Sequence, residues 1–153
     1  MRSLHKRGHS LARRHDRGFT LVEALVALLV LSVGLLGIAA LYVETLRASR
    51  MSLYRTQAVN FATDLADRMR ANRVPANAYA CGSPCVAANG GNAVADADLA
   101  DWMARIGTAL PGGTANVTFV AGTATTPDSY LIEVEWTEVE QANPVDFQLR
   151  VEI

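Results

Sequence analysis

GFTLVEALVALLVLSVGLLGIAALYV, residues 18–43, holds one charged side chain, Glu23, close to its start. From Ala24 to Val43 there are twenty residues without a charge. At about 1.5 Å per residue such a helix spans roughly 30 Å, the thickness of a bilayer core. A core helix of a soluble protein keeps one polar face. Here the only polar interruptions are Thr20, Ser32 and Tyr42. The stretch therefore reads as a membrane-spanning helix.

The charge pattern orients it. Residues 1–18 carry Arg2, Lys6, Arg7, Arg13, Arg14 and Arg17 against Asp16 alone. Of 14 basic and 15 acidic residues in the chain, 8 and 14 remain in residues 19–153, a net charge of −6. Positive charge stays on the cytoplasmic side, so the basic leader is expected inside and everything beyond about residue 43 outside. A secretory signal would end in a small-residue cleavage site after its apolar run. Here the chain continues as ETLRASR, and no cysteine follows to carry a lipid. The apolar segment is expected to be retained.

Glu23 breaks the apolar pattern. A carboxylate at the membrane edge costs a few kcal/mol unless paired. One reading is a first-turn acid that complements the helix dipole or reaches to the headgroups. The run Gly18-Phe19-Thr20-Leu21-Val22-Glu23, after a basic leader and before an apolar run, also resembles the prepilin (class III signal) motif. That motif is shared by type IV pilins and type II secretion pseudopilins. The resemblance implies cleavage between Gly18 and Phe19 by a membrane prepilin peptidase and methylation of the new N-terminus at Phe19. It makes Glu23 the fifth mature residue, a counter-charge for the new α-ammonium within the chain or in a neighbouring subunit. Such a pair supplies register more than net stability, because each charge is costly to desolvate.

Residues 44–73 lack Gly and Pro, and Met51, Tyr54, Ala58, Phe61, Leu65 and Met69 form one helical stripe. The helix is expected from about Phe19 to Arg73, ended by Pro75, with Asp64–Arg68 and Asp67–Arg70 pairs on its wet side. Gly34 and Gly37 weaken it locally or allow close helix packing. Residues 74–98 read as loop. In them Cys81 and Cys85 enclose Gly-Ser-Pro, and in an oxidising compartment they are expected to form a local disulfide. A redox pair is disfavoured by the C-x-x-x-C spacing with no helix directly after it, and a zinc site by all three histidines lying in the leader. Asp98–Leu110 reads as a short amphipathic helix with Leu99, Trp102, Met103 and Ile106 on one face, stopped by Pro111-Gly112-Gly113. Strands are expected at Asn116–Ala121, Tyr130–Thr137 and Phe147–Ile153, an antiparallel meander whose dry face the 51–69 stripe covers.

The expected architecture is α+β. A long N-terminal helix with an apolar first half packs against an antiparallel sheet of about three strands, as in the pilin-like fold. The expected divisions are a leader at 1–18, removed; a membrane or filament-core half-helix at 19–43; an amphipathic half-helix at 44–73; and a periplasmic head at 74–153. Leu65-Ala66-Asp67-Arg68-Met69-Arg70-Ala71-Asn72, the Trp102 to Gly113 segment and the Tyr130–Trp136 strand are similar to the PilV-type minor pilins. That resemblance implies a subunit that primes type IV pilus assembly at or near the tip and supports twitching motility and adhesion. Its implied partners are prepilin peptidase, other minor pilins, the major pilin and an inner-membrane assembly platform. Its implied location is the bacterial inner membrane, then the pilus. A type II secretion minor pseudopilin shares the architecture. A DNA-uptake pilin needs an exposed basic strip, and only Arg47, Arg50, Arg55, Arg68, Arg70, Arg73, Arg105 and Arg150 remain after cleavage. No nucleic acid and no cofactor is expected. An enzyme finds no support, because residues 19–153 contain no His or Lys and no nucleophile–base pair.

Overall fold

The computed structural model describes residues 18–72, 77–85, 91–139 and 141–152. The leader at 1–17, the expected helix end at Arg73 and the expected strand end at Ile153 lie outside the described residues. The chain divides into two compact units between Glu44 and Thr45.

Helix α1 runs from Leu21 to Asn72. In the first unit its side chains, Leu21 to Val43, are solvent-facing apart from the half-covered Ala24. The helix passes through Gly34 and Gly37 without a break, and no atom lies within 4 Å of where a Cβ would stand on either. Ser32 donates its hydroxyl to the Leu29 carbonyl at 2.8 Å, which satisfies the one mid-segment polar group inside the helix itself.

In the second unit α1 buries Ala58, Phe61, Ala62, Leu65, Ala66 and Met69. The stripe differs from the sequence reading at both ends of its logic. Met51 and Tyr54 are only half-covered, whereas Ala62 and Ala66 join the core. The small side chains let other elements approach the helix backbone closely. Trp102 shows this: its indole Nε1 donates to the Phe61 carbonyl at 2.9 Å.

Trp102 belongs to α2, Ala93–Ala109. This helix begins five residues before the expected Asp98. The reason is a capping residue that the loop reading passed over. The Asn92 side chain accepts from Val94 N at 3.0 Å and Ala95 N at 3.2 Å, satisfying two orphan N–H groups of the first turn. Ala95, Leu99, Trp102 and Ile106 then face the core, with Met103 at its margin. The helix ends at Ala109, with Leu110 as an extended C-cap whose N–H bonds Ile106 O, and the turn beyond it places Gly112 at φ +61°, where a Cβ would also meet Thr137 Oγ1 at 3.3 Å.

The sheet comprises β1 (Thr114–Val120), β2 (Ser129–Trp136) and β3 (Val145–Glu152), in the order β1-β2-β3 with both pairings antiparallel. β1 and β3 each begin two residues earlier than expected, because Thr114 pairs with Glu135 and Val145 pairs with Trp136. The register lines up apolar rows across all three strands: Phe119–Tyr130–Val151, Val117–Ile132–Leu149 and Ala115–Val134–Phe147. These rows, the α1 stripe and the α2 face form one core. The dry face is thus covered by both helices, where the sequence reading gave the task to α1 alone.

Polar groups fasten the elements at three places. Arg68 is not simply on the wet side. Its side chain, 25 % exposed, pairs with Asp64 on its own helix at 3.3 Å and with Asp98 and Asp101 on α2 at 3.1 and 2.9 Å. Arg105 of α2 reaches back to Asp64 at 3.0 Å. Burial would lower the Arg68 pKa, but the hydrogen bonds and charges of Asp101, Asp64 and Asp98 outweigh it and raise it. Asp67–Arg70, at 3.0 Å, remains an exposed pair worth little by itself. Next to this network the buried Tyr79 donates its hydroxyl to Asp98 Oδ2 at 2.6 Å and accepts from Asn72 Nδ2. Burial, then the bond to Asp98, pushes the Tyr79 phenol up to about 12.

The third fastening is at Glu138, whose side chain is fully buried. Arg55 Nε and Nη2 reach its two carboxylate oxygens at 3.3 Å each, and Trp136 Nε1 donates to Oε1 at 3.2 Å. A carboxylate stripped of water needs such partners, and here they pin the β2–β3 loop to α1.

Leu65→Ala, at the centre of the core, is expected to destabilise the full chain in detergent by about 2–5 kcal/mol in chemical denaturation. Leu53→Ala, on the exposed side, should stay within about 0.5 kcal/mol. For Tyr79 the folded state holds the proton more tightly than the unfolded chain, whose tyrosines titrate near 10. The contribution is complete below that value and is lost as pH rises towards about 12. Tyr79→Phe should flatten the fall of stability between about pH 10 and 12, read by denaturation midpoint against pH.

Candidate processing site and membrane segment

The chain just before α1 is not helical. Gly18, Phe19 and Thr20 precede the first turn and are exposed, Phe19 at 74 %. α1 starts behind a threonine cap: Thr20 Oγ1 accepts from Glu23 N at 3.3 Å, and Thr20 O accepts from Ala24 N at 3.2 Å. Thr20-Leu21-Val22-Glu23 thus has the Thr-x-x-Glu spacing of a capping box, with Glu23 in the first turn beside the positive end of the helix dipole. The Gly18–Phe19 peptide bond therefore lies before the helix, which begins at Leu21.

Gly18 has no role in the fold of the described residues. A Cβ built there would have no atom within 4 Å, and its φ is not in the left-handed region. Gly34, Gly37, Gly82 and Gly107 are equally open and also lie outside the left-handed region.

The sequence-singled residues do not form one site. Gly18, Phe19 and Glu23 fall within two turns of one another at the start of α1, while Cys81 and Cys85 lie in the head. Only the first group lies where the sequence reading expects processing. Beyond it, α1 has a window of mean hydropathy 2.7 with none of its residues buried, long and apolar enough to cross a membrane.

Cys81 and Cys85 are joined by a disulfide with S–S 2.03 Å. Its segment lies along the outer edge of β1. Cys81 N donates to Val117 O at 2.9 Å, and Cys85 N donates to Ala115 O at 2.9 Å. The four-residue separation closes only a small loop, so what it fixes is the local path that lets these amides reach β1.

Among the described residues no group of three or more His, Cys, Asp or Glu side chains could hold a metal ion. Four arginines of the second unit pair with carboxylates: Arg55 with Glu138, Arg68 with three aspartates, Arg70 with Asp67 and Arg105 with Asp64. Sequence reasoning missed Glu138 and Arg55. A glutamate in a polar loop carries no pattern that marks it as buried, and the two are 83 positions apart.

Comparison with known families gives two matches. Residues 13–39 match the prokaryotic N-terminal methylation motif, and residues 40–100 match the family model described as type IV pilin Tt1218. No curated protein and no solved structure matches the chain. The two family matches adjoin at residues 39 and 40, and with the long apolar-started helix and the antiparallel sheet they support a type IV pilin, a pilus subunit processed at its N-terminus.

Proposed function

We propose that this chain is a minor pilin of the PilV type, made as a prepilin in the bacterial inner membrane and built into the type IV pilus at or near its tip. The observation that carries the reading is the exposed, non-helical Gly18–Phe19 bond in front of a capped helix whose apolar half no described residue covers. Prepilin peptidase cuts that bond from the cytoplasmic side, and Phe19 then becomes the methylated N-terminus. The leader at 1–18 is discarded, residues 19–43 anchor the subunit, and the head lies in the periplasm. The disulfide in the head fits an oxidising compartment.

Priming of assembly, not adhesion in its own right, suits the head. Its strands are joined directly, and the connection between β2 and β3 is tied down by Glu138. Its partners are the other minor pilins, the major pilin and the assembly platform, and its support of twitching motility and adhesion is indirect. The commitment of Arg55, Arg68, Arg70 and Arg105 to carboxylates argues against DNA binding, because phosphate contacts need basic groups to spare.

Intact mass of the protein from cells with and without prepilin peptidase tests the reading. The expected result is loss of residues 1–18 and gain of one methyl group, only where the peptidase is present. An uncut chain in both strains would leave a single-pass membrane protein and end the pilin reading. Pull-down from sheared pili, set against pull-down from a secretion machinery, then separates pilus from pseudopilus.

For Glu23 the proposed role is counter-charge to the α-ammonium of Phe19. Glu23→Ala is expected to leave cleavage intact and to reduce entry into pili at least about tenfold, the effect of about 1.4 kcal/mol, measured by immunoblot of sheared pili. Entry at the wild-type level would refute the role.

A further inference from the structure

The disulfide segment closes one edge of the sheet, and it is held there unevenly. In the order β1-β2-β3, β1 has β2 on one side and this segment on the other. Three backbone bonds join them: Cys81 N to Val117 O at 2.9 Å, Val117 N to Cys81 O at 3.4 Å and Cys85 N to Ala115 O at 2.9 Å.

The Cys81 end is anchored from upstream. Ala78 and Tyr79 are fully buried. Tyr79 N donates to the Tyr130 hydroxyl at 3.2 Å. The Tyr79 hydroxyl donates to Asp98 Oδ2 at 2.6 Å and accepts from Asn72 Nδ2. Its ring meets Tyr130 edge-on, with centroids 6.4 Å apart. Cys81 thus follows closely on a residue tied to α1, α2 and β2 at once. Breaking the disulfide removes none of those ties.

The Cys85 end has no comparable anchor among the described residues. Gly82, Ser83 and Pro84 are exposed and make no backbone hydrogen bond to the rest of the head. No atom lies within 4 Å of where a Cβ would stand on Gly82. Cys85 is held by its one backbone bond to Ala115 O and by the disulfide. A single backbone bond has a small net worth, because the same groups bond to water when released and ordering the chain costs entropy. A reduced Cys85 keeps some preference for burial, as a small apolar side chain. Opposing it is the freedom that the turn regains when the covalent tie opens.

We infer that the Cys81–Cys85 disulfide is a redox latch on the β1 edge. Oxidised, it holds Cys85 against Ala115. Reduced, the chain from Gly82 to Cys85 lifts off, the Ala115 carbonyl is uncovered and Cys85 becomes an accessible thiol, while the Cys81–Val117 bridge stays. Opening takes a dithiol. One of its sulfurs attacks a cystine sulfur and its second sulfur then displaces the protein. The reductant leaves as a disulfide, and Cys81 and Cys85 take up the electron pair and the protons as thiols. Closing is the reverse, with a disulfide as the oxidant. An uncovered strand edge pairs readily with other extended chains, so the latch makes protection of this edge conditional on oxidation. Disulfides persist in oxidising compartments, which sets the closing after export of the head. That timing rests on the periplasmic reading above, whereas the latch itself does not.

The test treats the full chain in detergent with dithiothreitol, then with N-ethylmaleimide for increasing times, and reads each cysteine by peptide mass. Cys85 is expected to be alkylated at least about tenfold faster than Cys81, because local opening occurs at one end and not at the other. Equal rates would overturn the inference, and so would a disulfide that dithiothreitol does not open in the folded chain. The double variant Cys81→Ser, Cys85→Ser asks the same question without a reductant. Its amide at position 85 should exchange with deuterium at least about tenfold faster than in the oxidised parent, and the Val117 amide less than about threefold faster. Unchanged exchange at position 85 would also sink the latch. Loss of protection at Tyr130, in the central strand, would mean that the variant has not folded, and the alkylation ratio then decides.

Discussion

The apolar surface of α1 between Leu21 and Val43, which no other described residue covers, is the constraint from which the rest follows. Burying a Leu, Val or Ile side chain is worth roughly 1.5–3 kcal/mol relative to exposure in water. A segment made almost entirely of such residues, with every backbone hydrogen bond made inside the helix, is stable only in lipid or among other helices of the same kind. That demand explains the lack of polar groups in the segment, and it explains why Ser32 returns its hydroxyl to the Leu29 carbonyl. It also makes Glu23 an exception that needs a partner once the segment has left water.

Beyond Thr45 the same helix obeys a different rule. There only one stripe is apolar, and the other side carries Asp64, Asp67, Arg68 and Arg70. The stripe alone would hold a sheet loosely in rotation, because apolar contact is not directional. Direction comes from the polar ties. Trp102 fixes α2 to a single carbonyl on α1, and Arg68 and Arg105 cross-link the two helices through Asp64, Asp98 and Asp101. Arg55 and Glu138 fix the β2–β3 loop. The exposed members of this set contribute little net stability, whereas Glu138, fully buried, is costly to leave unpaired. The arrangement is more convincing as a specification of which face meets which than as a source of stability.

What the sequence made legible, and what it hid, divides along the same physical line. Periodicity showed the apolar segment, the long helix, the α2 face and the three strands with their inward residues, because burial leaves a repeating trace of period 3.6 or 2. Ends were less legible. α2 starts at Ala93 because one asparagine caps it, and a cap is a single residue inside a Gly- and Ala-rich stretch that otherwise reads as loop. β3 starts at Val145 because its partner Trp136 is there, which only the paired strand can reveal. The Glu138–Arg55 tie, the Tyr79–Asp98 bond and the shared cover of the sheet by α1 and α2 join residues far apart in the chain, and no local pattern announces them.

The processing site is the opposite case. It was legible as a motif in the sequence, Gly18 to Glu23, and not as a packing pattern. Gly18 touches nothing and Phe19 is largely exposed, so neither is explained by packing. Core positions accept many apolar residues of similar volume, and their exact identities are hard to interpret one at a time. On the proposed reading, a glycine followed by an exposed phenylalanine and a capped helix answers to a protease that binds an extended chain and to a filament that buries what remains. The least structurally constrained residues of the chain are therefore its most informative ones.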